Sequence, residues 1–392
     1  MAEWFGKRLD EIAEFNPRES LKKGSIAKKI SMDKLQPFCR DVPGFELEPY
    51  SGGTKFRNGD TIMARITPCL ENGKTAKVSV LENGEVGFGS TEYIVFRAKD
   101  GCDPDFLYYL VTSPIVRGPA IKSMVGSSGR QRVQTDVLQT LMVKVPDLET
   151  QQSISGILKS LDDKIAANRK INDNLEQQAQ ALYQELFITN TDPSWETGTI
   201  SNLGTVIGGS TPSKARPEYY TKNGIAWITP KDLSINKSKF ITHGESDITE
   251  LGLKNSSATV MPEGTVLFSS RAPIGYIAIA AGNITTNQGF KSVVPNAEIG
   301  TAYVYYYLKQ NLSMIERLAS GSTFKEVSGG TMKSVPAIVP DSKTIQEFNN
   351  FCLPIFEQQK VLETQNRTLA GLRDSLLPKL MSGELDVSAV EL

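Results

Sequence analysis

The sequence predicts an α+β protein in which two mixed α/β domains stand in tandem, separated by two long helices that pair as an antiparallel coiled coil. Three observations support this prediction: the chain length, an internal repeat and a heptad pattern at the end of each half. The chain has 392 residues, of which 39% are hydrophobic and 22% charged, as in an ordinary globular protein. This length exceeds one ordinary core, so two domains are the default expectation.

The second half of the chain repeats the first at a nearly constant distance in sequence. Residues 140–187 align without a gap with residues 334–381, at an offset of 194. Upstream the offset drifts, because residues 56–68 align with residues 261–273 at an offset of 205. Such drift is expected where two copies of one fold differ in the lengths of their loops. We therefore interpret the chain as a tandem of two similar halves.

Each half contains the same succession of segments. Short strand patterns bounded by Gly and Pro, such as TIMARI in the first half and GYIAIA in the second, lead into a short helix. One long helical segment then closes each half. This succession places a first mixed domain at residues 1–147, a central helix at 148–190, a second mixed domain at 191–341 and a C-terminal helix at 342–392.

A heptad seam runs along both long helical segments. Alternate steps of four and three residues from Ile154, and again from Phe348, meet mainly apolar residues. Each segment covers about 35 residues, roughly 50 Å, which is too long for a domain of about 150 residues to cover. We therefore expect the two seams to bury each other, in the antiparallel sense that gives the repeat approximate two-fold symmetry. The predicted seam consists of Ile154, Leu158, Leu161, Ile165, Leu175, Leu182, Leu186, Ile355, Leu362, Leu369, Leu376 and Leu380.

Asparagines interrupt this seam at Asn168, Asn172 and Asn366. A polar residue in such a seam commonly fixes the register of the paired helices, at some cost in stability. Alternatively, these residues lie where the helical contact ends and are simply solvated. The sequence leaves both interpretations open.

Histidine and cysteine are scarce, which restricts the chemistry that the chain can perform. The single histidine, His243, lies in the polar stretch ITHGESDIT, and a lone histidine removes most hydrolase and zinc-enzyme templates. The four cysteines are far apart and form no CxxC pair, so we expect ordinary thiols. We therefore predict no catalytic, cofactor-binding or metal-binding residues in this chain.

The distribution of apolar and charged residues bears on location and partners. No stretch approaches the roughly 18 apolar residues of a membrane span, and MAEWFGKRLD has no apolar signal core, so we expect a cytoplasmic protein without a membrane partner. Basic residues slightly exceed acidic ones in the globular parts, 14 against 11 in residues 195–343. A polyanion would therefore meet the globular parts, although so small an excess does not by itself indicate nucleic-acid binding.

Four short motifs follow one another on this duplicated scaffold: GGSTPSKARPEYY at 208–220, AWITPKDLS at 226–234, SSRAPIGYIAIA at 269–280 and LLPKLMSGEL at 376–385. With these motifs and its alternation of globular parts and matching helices, the chain resembles the specificity subunits of type I restriction-modification systems over essentially its whole length. The resemblance implies a DNA sequence-recognition subunit without catalytic activity of its own. Each globular part would be a target recognition domain for one half of an asymmetric bipartite DNA site.

The resemblance also implies partners and cofactors. The paired helices would set the spacing of the half-sites on double-stranded DNA and dock two modification (methyltransferase) subunits, and restriction (translocase/nuclease) subunits would complete the complex. S-adenosylmethionine, ATP and Mg²⁺ would belong to those partners, which methylate adenine and cut DNA. In agreement, the chain has no GxxxxGKS or GxxxxGKT loop and no NPPF or NPPY tetrapeptide. A coiled-coil protein-interaction adaptor without DNA specificity remains the alternative.

Two segments of the first domain carry candidate DNA-binding residues. The turn ARITPCLENGKTAK follows a strand pattern, and the loop GSSGRQRVQ is bounded by glycines. Arginine can bind guanine O6 and N7 with two hydrogen bonds, glutamine suits adenine, and lysine can neutralise a phosphate. The candidates are Arg65, Thr67, Lys74, Arg130, Gln131 and Arg132.

The second domain offers candidates in matching segments, SSRAPIG and GSTFKEV, where the loop is kept and the residues differ. Three further segments, TPSKARPEYY, AWITPKDLS and TTNQGFKS, place hydroxyls, amides and lysines beside Gly and Pro. These side chains suit base or phosphate contacts, but the same residue types also stabilise turns. The candidates are Ser213, Lys214, Thr229, Lys231, Ser270, Arg271, Asn287, Gln288, Thr323 and Lys325.

Overall fold

The computed structural model describes residues 3–321 and 325–387. The chain forms two compact units, of which unit 1 contains residues 1–167 and 366–392 and unit 2 contains residues 168–365. Both units combine sheets with helices, so the predicted α+β class is confirmed. The boundaries between the units fall inside the two long helices, whereas the domains predicted from the sequence end where those helices begin.

The strands of unit 1 form two sheets and one separate pair. Strands β2, β9, β6 and β7 form an antiparallel sheet in that order, and β4, β3, β8 and β5 form a mixed one. Strand β1 pairs antiparallel with β10, the strand that precedes the first long helix. The strands are β1 (Trp4–Arg8), β2 (Ala13–Phe15), β3 (Ile26–Ile30), β4 (Glu46–Pro49), β5 (Thr54–Phe56), β6 (Thr61–Ala64), β7 (Thr75–Lys77), β8 (Gly87–Gly89), β9 (Tyr93–Ala98) and β10 (Met142–Pro146).

The helices of unit 1 are α1 (Leu9–Ile12), α2 (Pro104–Thr112), α3 (Pro114–Lys122), α4 (Thr135–Gln139) and the first part of the long helix α5 (Leu148–Gln184). Helix α2 has proline in its first turn, and the carboxylate of Asp103 before it accepts a 2.7 Å hydrogen bond from Phe106 N–H. Phe106 and other buried residues of α2 pack in one core with Ile154 and Leu158 of α5. This core seats the globular part of unit 1 on the start of α5.

Unit 2 repeats the arrangement. Strand β11 pairs with β21 as β1 pairs with β10, and a sheet in the order β12, β20, β17, β18, β15 corresponds to β2, β9, β6, β7 with one strand added. Strands β13, β16, β14 and β19 form the other sheet. The predicted tandem repeat is confirmed. The strands are β11 (Glu196–Thr199), β12 (Gly204–Gly208), β13 (Tyr220–Thr221), β14 (Ile225–Ile228), β15 (Phe240–Ile241), β16 (Ser246–Ile248), β17 (Val266–Ser270), β18 (Ile274–Ala280), β19 (Thr285–Thr286), β20 (Lys291–Pro295) and β21 (Pro336–Val339).

The core of unit 2 contains a cluster of aromatic side chains around α9. Tyr303 and Tyr306 of α9 lie within 6 Å, between ring centroids, of Tyr183 in α5. In the described part of the chain, none of the helices combines the length and the hydropathy of a transmembrane segment. The helices are α6 (Ile200–Leu203), α7 (Pro230–Ile235), α8 (Glu250–Lys254), α9 (Thr301–Gln310), α10 (Leu312–Arg317), α11 (Gly329–Lys333) and the second long helix α12 (Ser342–Ser382), with a 3₁₀ turn at Pro217–Tyr219.

The long helices run in opposite directions within each unit. In unit 1, Leu158 near the start of α5 shares a core with Leu380 near the end of α12. In unit 2, Tyr183 near the end of α5 and Phe187 in the following π-helical turn (Glu185–Thr189) pack against Phe348 near the start of α12. The predicted antiparallel pairing is confirmed.

The predicted seam residues differ in burial. In unit 2 the buried positions shift by one residue, from Leu182 and Leu186 to Tyr183 and Phe187, as expected where a straight helix drifts from a strict seven-residue repeat. Asn168, at a polar seam position, is fully buried and its amide donates to Gln365 Oε1 at 3.3 Å, so it is not a solvated helix end. The buried seam residues are Ile154, Leu158, Leu161, Ile165, Ile355, Leu362 and Leu380, and the partly buried ones are Leu175, Leu182, Leu186, Leu369 and Leu376.

Each globular part is joined to α5 by a buried cation. In unit 1, the guanidinium of Arg40 donates to the carboxylate of Asp163 at 2.6 Å. In unit 2, the ammonium of Lys239 contacts the carboxylate of Glu176 and donates to Gln359 Oε1 of α12 at 2.7 Å. Both cations are 8% exposed as residues, and burial of an unpaired charge would be costly. These pairs therefore fix the position of each globular part on its helices.

Candidate nucleic-acid interface

Three separate segments of unit 1 meet at the end of strand β6. Thr67 N–H donates to the carbonyl of Gln131 at 3.0 Å, and Gln131 N–H donates to the Thr67 hydroxyl at 3.1 Å. Val133 N–H donates to the carbonyl of Arg65 at 2.9 Å, and Arg65 N–H donates to the carbonyl of Glu92 at 2.9 Å. The structure thus brings together the candidate segments ARITP and GRQRV, with the segment TEYIV beside them.

Arg132 and Glu92 form a two-pronged ion pair in this group. Arg132 Nε lies 3.0 and 2.9 Å from the two carboxylate oxygens of Glu92, and Nη2 lies 2.7 Å from Oε1. The side chains remain 47% and 24% exposed, respectively. The hydrogen bond from Arg132, with its charge and that of Arg65, holds the pKa of Glu92 below its usual value against the opposing effect of burial.

The other candidates of unit 1 have different surroundings. Arg130 is exposed and Gln131 is half-buried in the same loop, whereas Thr67 is buried. The guanidinium of Arg65 donates to the carbonyl of Val133 at 3.2 Å. The ammonium of Lys74 donates to the carbonyl of Met32 at 2.9 Å, so its charge lies against the backbone of another loop.

Most candidates of unit 2 line one open cleft with a volume of about 770 Å³. Its walls come from strand β14 and from the connections that follow β12, β14, β17 and β19. Its lining combines aromatic side chains with amides, hydroxyls and charges of both signs, and the polar groups suit the edges of nucleobases. The candidates in the cleft are Lys214, Thr229, Lys231, Arg271, Asn287 and Gln288.

Two of these residues also hold the local backbone. Asp232 Oδ2 accepts from Thr229 N–H at 2.7 Å as part of a capping box at the start of α7, and it also accepts from the Thr229 hydroxyl at 2.6 Å. Asn287 Oδ1 accepts a 2.9 Å hydrogen bond from Gly289 N–H, which closes a turn. The turn-stabilising interpretation therefore describes contacts that both side chains make.

Three cleft residues have polar side chains with partners at the surface of the cleft. The Lys231 ammonium lies 2.7 Å from the Glu245 carboxylate, and both side chains are more than half exposed. Arg271 Nη1 lies 3.4 Å from Glu326 Oε2, which is near the limit for a hydrogen bond. Gln288 is exposed and its Oε1 accepts from the hydroxyl of Thr211.

The remaining candidates of unit 2 do not line the cleft. Ser270 is fully buried, and its hydroxyl donates to the carbonyl of Gly289 at 3.1 Å, so it supports the cleft from beneath. Ser213 and Lys325 are exposed. Thr323 lies outside the residues that the structure describes.

Sequence reasoning missed several residues of the cleft in unit 2 and of the ion pair in unit 1, because nothing in the sequence marks them as functional. Trp227 stands in the motif AWITPKDLS, yet its role is only visible in the fold: its indole N–H donates to the carbonyl of Ser210 at 3.0 Å. Tyr220 packs edge-on against it, with ring centroids 5.6 Å apart. Glu92 is one acidic residue among many in the sequence, and only the folded strands bring it to Arg132.

The place in unit 1 where the end of β6, the residue before β9 and the loop at 130–133 meet is called the junction here. Unit 2 has the same backbone arrangement at the equivalent place but different side chains. Val327 N–H donates to the carbonyl of Ser270 at 3.0 Å and Ser270 N–H donates to Gly289 at 2.7 Å, as Val133, Arg65 and Glu92 do in unit 1. Gly289 therefore occupies the place of Glu92. By the same match, Glu326 occupies the place of Arg132. In unit 2 the carboxylate is on the loop and its cations, Arg271 and Lys291, are 3.4 Å away on the strand side.

Metal-ligating groups are not clustered in the part of the chain that the structure describes. Within residues 3–321 and 325–387, no group of three or more His, Cys, Asp or Glu side chains is placed to hold a metal ion. His243 is exposed, and its Nδ1 lies 3.2 Å from Asp247 Oδ1.

Known proteins resemble this chain in sequence. A family model described as type I restriction modification DNA specificity domain matches residues 1–177 and 193–367. The type I restriction enzyme MjaIX specificity subunit of Methanocaldococcus jannaschii is 40% identical over 167 residues, which cover 42% of this chain and 38% of that protein. The type I restriction enzyme HindI specificity subunit of Haemophilus influenzae is 26% identical, over 88% of this chain and 89% of that protein.

A solved structure resembles the chain in fold. The S subunit of the type I restriction-modification system from M. genitalium matches with a TM-score of 0.57 at 14% identity. The match covers 97% of this chain and 96% of that one. The arrangement of two mixed α/β parts with two long helices is therefore shared with that structure.

Proposed function

We propose that this chain, which belongs to the family of type I restriction modification DNA specificity domains, is the DNA sequence-recognition subunit of a type I restriction-modification complex. The globular parts, residues 1–147 and 191–341, each read one half of an asymmetric bipartite site. The chain itself performs no chemical step. DNA methylation and cleavage are the work of partner subunits, which bind S-adenosylmethionine, ATP and Mg²⁺.

The observation that carries the proposal is the junction of strand end and loop that both units share. The backbone hydrogen bonds that close it are the same in the two units, 2.9 and 3.0 Å from the valine N–H. The side chains at its equivalent places differ in charge, with Glu92 and Arg132 in unit 1 against Gly289 and Glu326 in unit 2. A fixed backbone with exchanged polar side chains is expected where two copies of a scaffold read different base sequences.

In this proposal the exposed cations and amides around each junction contact DNA. In unit 1 the contacts come from Arg130, Gln131 and Arg132, with Arg65 beside them. In unit 2 the cleft accepts a groove edge, where Lys214 and Lys231 suit phosphates and the other donors suit bases. The proposed contacts in unit 2 are Ser213, Lys214, Thr229, Lys231, Arg271, Asn287, Gln288, Thr323 and Lys325. Ser270, predicted from the sequence as a contact, is fully buried and is not among them, because its hydroxyl is bound to the backbone beneath the cleft.

The long helices are proposed to set the half-site spacing and to dock two modification subunits. Within unit 2, apolar side chains of both helices are exposed: Leu353 is 63% and Val361 is 48% exposed on α12, and Ile171 is 45% exposed on α5. Where exposed apolar side chains form a contiguous patch they mark a protein interface, and we propose that the modification subunits cover these. Restriction subunits would join the assembled complex.

An exchange of globular parts tests the proposal. Residues 1–147 are replaced by the equivalent part of a relative, and the methylated sequence is determined in cells that carry the chain with its modification and restriction subunits. We expect one half of the bipartite sequence to change and the other to persist. A change in both halves or in neither would contradict the proposal, and an adaptor without DNA specificity would give no methylated sequence motif at all.

A further inference from the structure

The Arg132 side chain is held in a defined orientation by Glu92. Nε and Nη2 both donate to the carboxylate, at distances between 2.7 and 3.0 Å. A guanidinium has five N–H donors in one plane, so two contacts along one edge fix the direction of that plane. Nη1 has no partner among the described residues, and the side chain is 47% exposed.

The backbone on both sides of this pair is also held. Arg132 N–H donates to the carbonyl of Val125 at 2.9 Å, and Val125 N–H donates to that of Arg132 at 3.0 Å. Arg132 also forms a bridge with Ile66, next to the strand end at Arg65. Glu92 precedes β9, and its carbonyl is bound by Arg65 N–H at 2.9 Å. Both ends of the ion pair are therefore fixed before any ligand arrives.

The edge of Arg132 that faces away from Glu92 carries the chemistry of guanine recognition. One N–H on Nη1 and one on Nη2 point outwards in parallel, and guanine presents two acceptors, O6 and N7, in the major groove at matching spacing. A phosphate would accept the same groups, but it needs no fixed plane. A guanidinium that is fixed in advance loses less conformational freedom on binding and discriminates better against a wrong base.

We propose that Arg132 reads a guanine in the half-site of the first globular part, and that Glu92 is the positioning residue that orients it. This inference rests on the proposed function and adds a base and two residue roles to it. Glu92 itself touches no DNA in this arrangement. Its carboxylate acts through the orientation of the Arg132 guanidinium, so neutralising it loosens the readout without removing the arginine.

The test uses the full chain assembled with its modification subunits and the bipartite sequence found by methylation mapping. Each guanine of the site is replaced in turn by 7-deazaguanine, which pairs normally but lacks the N7 acceptor. For the wild type we expect about tenfold weaker binding at one guanine of the first half-site, the size expected for a two-pronged arginine contact. Arg132→Lys should bind the unmodified site about tenfold more weakly and be less sensitive than the wild type to the replacement at that guanine, because one ammonium donates to N7 without the fixed two-pronged geometry.

Glu92→Gln separates positioning from direct contact. It should lower the ratio of specific to non-specific affinity about fivefold while leaving non-specific affinity unchanged or higher, because a negative charge is removed near DNA. The double variant Glu92→Gln with Arg132→Lys should be no worse than Arg132→Lys alone, since the two residues act as one unit. A folding defect would instead lower specific and non-specific affinity together.

The chain contains a matched control for this pair. Arg8 donates to Asp10 from the same two nitrogens as Arg132 does to Glu92. Nε lies 3.0 Å from Oδ1 and Nη2 lies 2.7 Å from Oδ2, and the side chains of Arg8 and Asp10 are 51% and 27% exposed, respectively. Asp10→Asn therefore removes an ion pair of similar distances and exposure outside the junction. We expect it to match the wild type in affinity, in specificity ratio and in its response to 7-deazaguanine.

The outcomes separate this inference from the proposed function. If Arg132→Lys weakened binding to all sequences equally and lowered the salt dependence, Arg132 would contact a phosphate and the inference would be wrong. If both variants behaved as Asp10→Asn does, Arg132 would not contact DNA and the inference would also be wrong. In either case the wild type would still recognise one bipartite sequence. Absence of any sequence preference in the wild-type complex would instead contradict the proposed function.

Discussion

Units 1 and 2 have the same backbone at the junction but place the carboxylate and its cationic partners on opposite sides of it. In unit 1 the carboxylate of Glu92 stands beside the strand and binds one arginine on the loop, at 2.7 Å. In unit 2 the carboxylate of Glu326 stands on the loop and is shared between Arg271 and Lys291, each 3.4 Å away. Shorter distances and a single partner give a defined direction, whereas a shared and longer contact leaves the cations adaptable. The difference shows that the junction tolerates exchange of charge without a change of backbone.

The ion pairs of the long helices also differ between the units. In unit 1, Arg373 of α12 is buried against Asp162 of α5, 2.7 Å apart, and the Tyr109 hydroxyl donates to the same carboxylate at 2.7 Å. In unit 2, the partly buried Glu176 of α5 pairs with two lysines of the globular part, Lys239 and Lys309. The first pair joins the two helices to each other, whereas the second joins a helix to the globular part, as Arg40 with Asp163 does in unit 1.

Removal of Arg373, which is buried between the two long helices in unit 1, should have the largest effect. Arg373→Met leaves Asp162, which is 4% exposed, without its counter-charge. We expect the free energy of unfolding to fall by about 3 to 5 kcal/mol, the usual effect of breaking a buried ion pair on one side. Chemical denaturation measures the loss. Arg8→Met, at an exposed pair, should cost less than about 1 kcal/mol, and equal losses in the two variants would contradict the assigned role of burial.

Two leucines of the α5 seam should differ in sensitivity, Leu158 in unit 1 and Leu182 in unit 2. Leu158 is fully buried, so Leu158→Ala should lower the free energy of unfolding by about 3 kcal/mol through lost burial and a residual cavity. Leu182 is partly buried, because Tyr183 beside it occupies the core position, and Leu182→Ala should cost clearly less. Denaturation of both variants checks the order. A larger loss for Leu182→Ala would mean that the seam of unit 2 is not displaced by one residue.

Acid should weaken the buried network of unit 2 through Glu176. Burial alone would raise the pKa of this carboxyl, but the charges and hydrogen bonds of Lys239 and Lys309 lower it from 4.5 to about 2. Because the folded pKa is depressed, the stabilisation is fully present above the unfolded pKa of 4.5 and is lost as pH falls towards about 2. The Tyr306 hydroxyl, which donates to the same carboxylate at 2.9 Å, stays neutral over this range.

The comparison of the wild type with Glu176→Gln isolates this contribution. At neutral pH the variant should be less stable by about 2 to 3 kcal/mol, from the size of the pKa shift. The difference should shrink as pH falls below 4.5 and vanish near pH 2. Thermal or chemical unfolding at a series of pH values measures it. A difference that stays constant with pH would show that the glutamine changes packing and not the titration of a carboxyl.

The junction of unit 2 should give the smallest effect. Glu326→Gln releases two cations that it holds only at 3.4 Å, so we expect a change of less than about fivefold in specificity, confined to the second half-site. Binding measurements on sites altered in one half at a time check this. A change as large as that of Glu92→Gln would remove the distinction between a fixed and an adaptable pair.

Features that repeat along the chain or follow a regular period could be predicted from the sequence. The heptad seam and the 194-residue offset predict two long antiparallel helices on a duplicated fold, because both depend on spacing along the chain. The cleft of unit 2 and the pair of Arg132 with Glu92 depend instead on strands that are distant in sequence. Thr229 shows an intermediate case. Its capping box with Asp232 three residues later is readable from the sequence, yet a threonine in that position also suits base contacts.

The anchoring cations have a consequence for the construction of chimeras. Arg40 and Lys239 occupy the same place in their units, since their carbonyls accept equivalent hydrogen bonds of 2.8 and 2.7 Å from Lys77 N–H and Ile279 N–H. A transplanted globular part that brings a basic residue at this place keeps the contact with the helix carboxylate, Asp163 or Glu176. A donor with an apolar or acidic residue there loses this contact between the globular part and α5. This single position offers a simple criterion for choosing compatible donors.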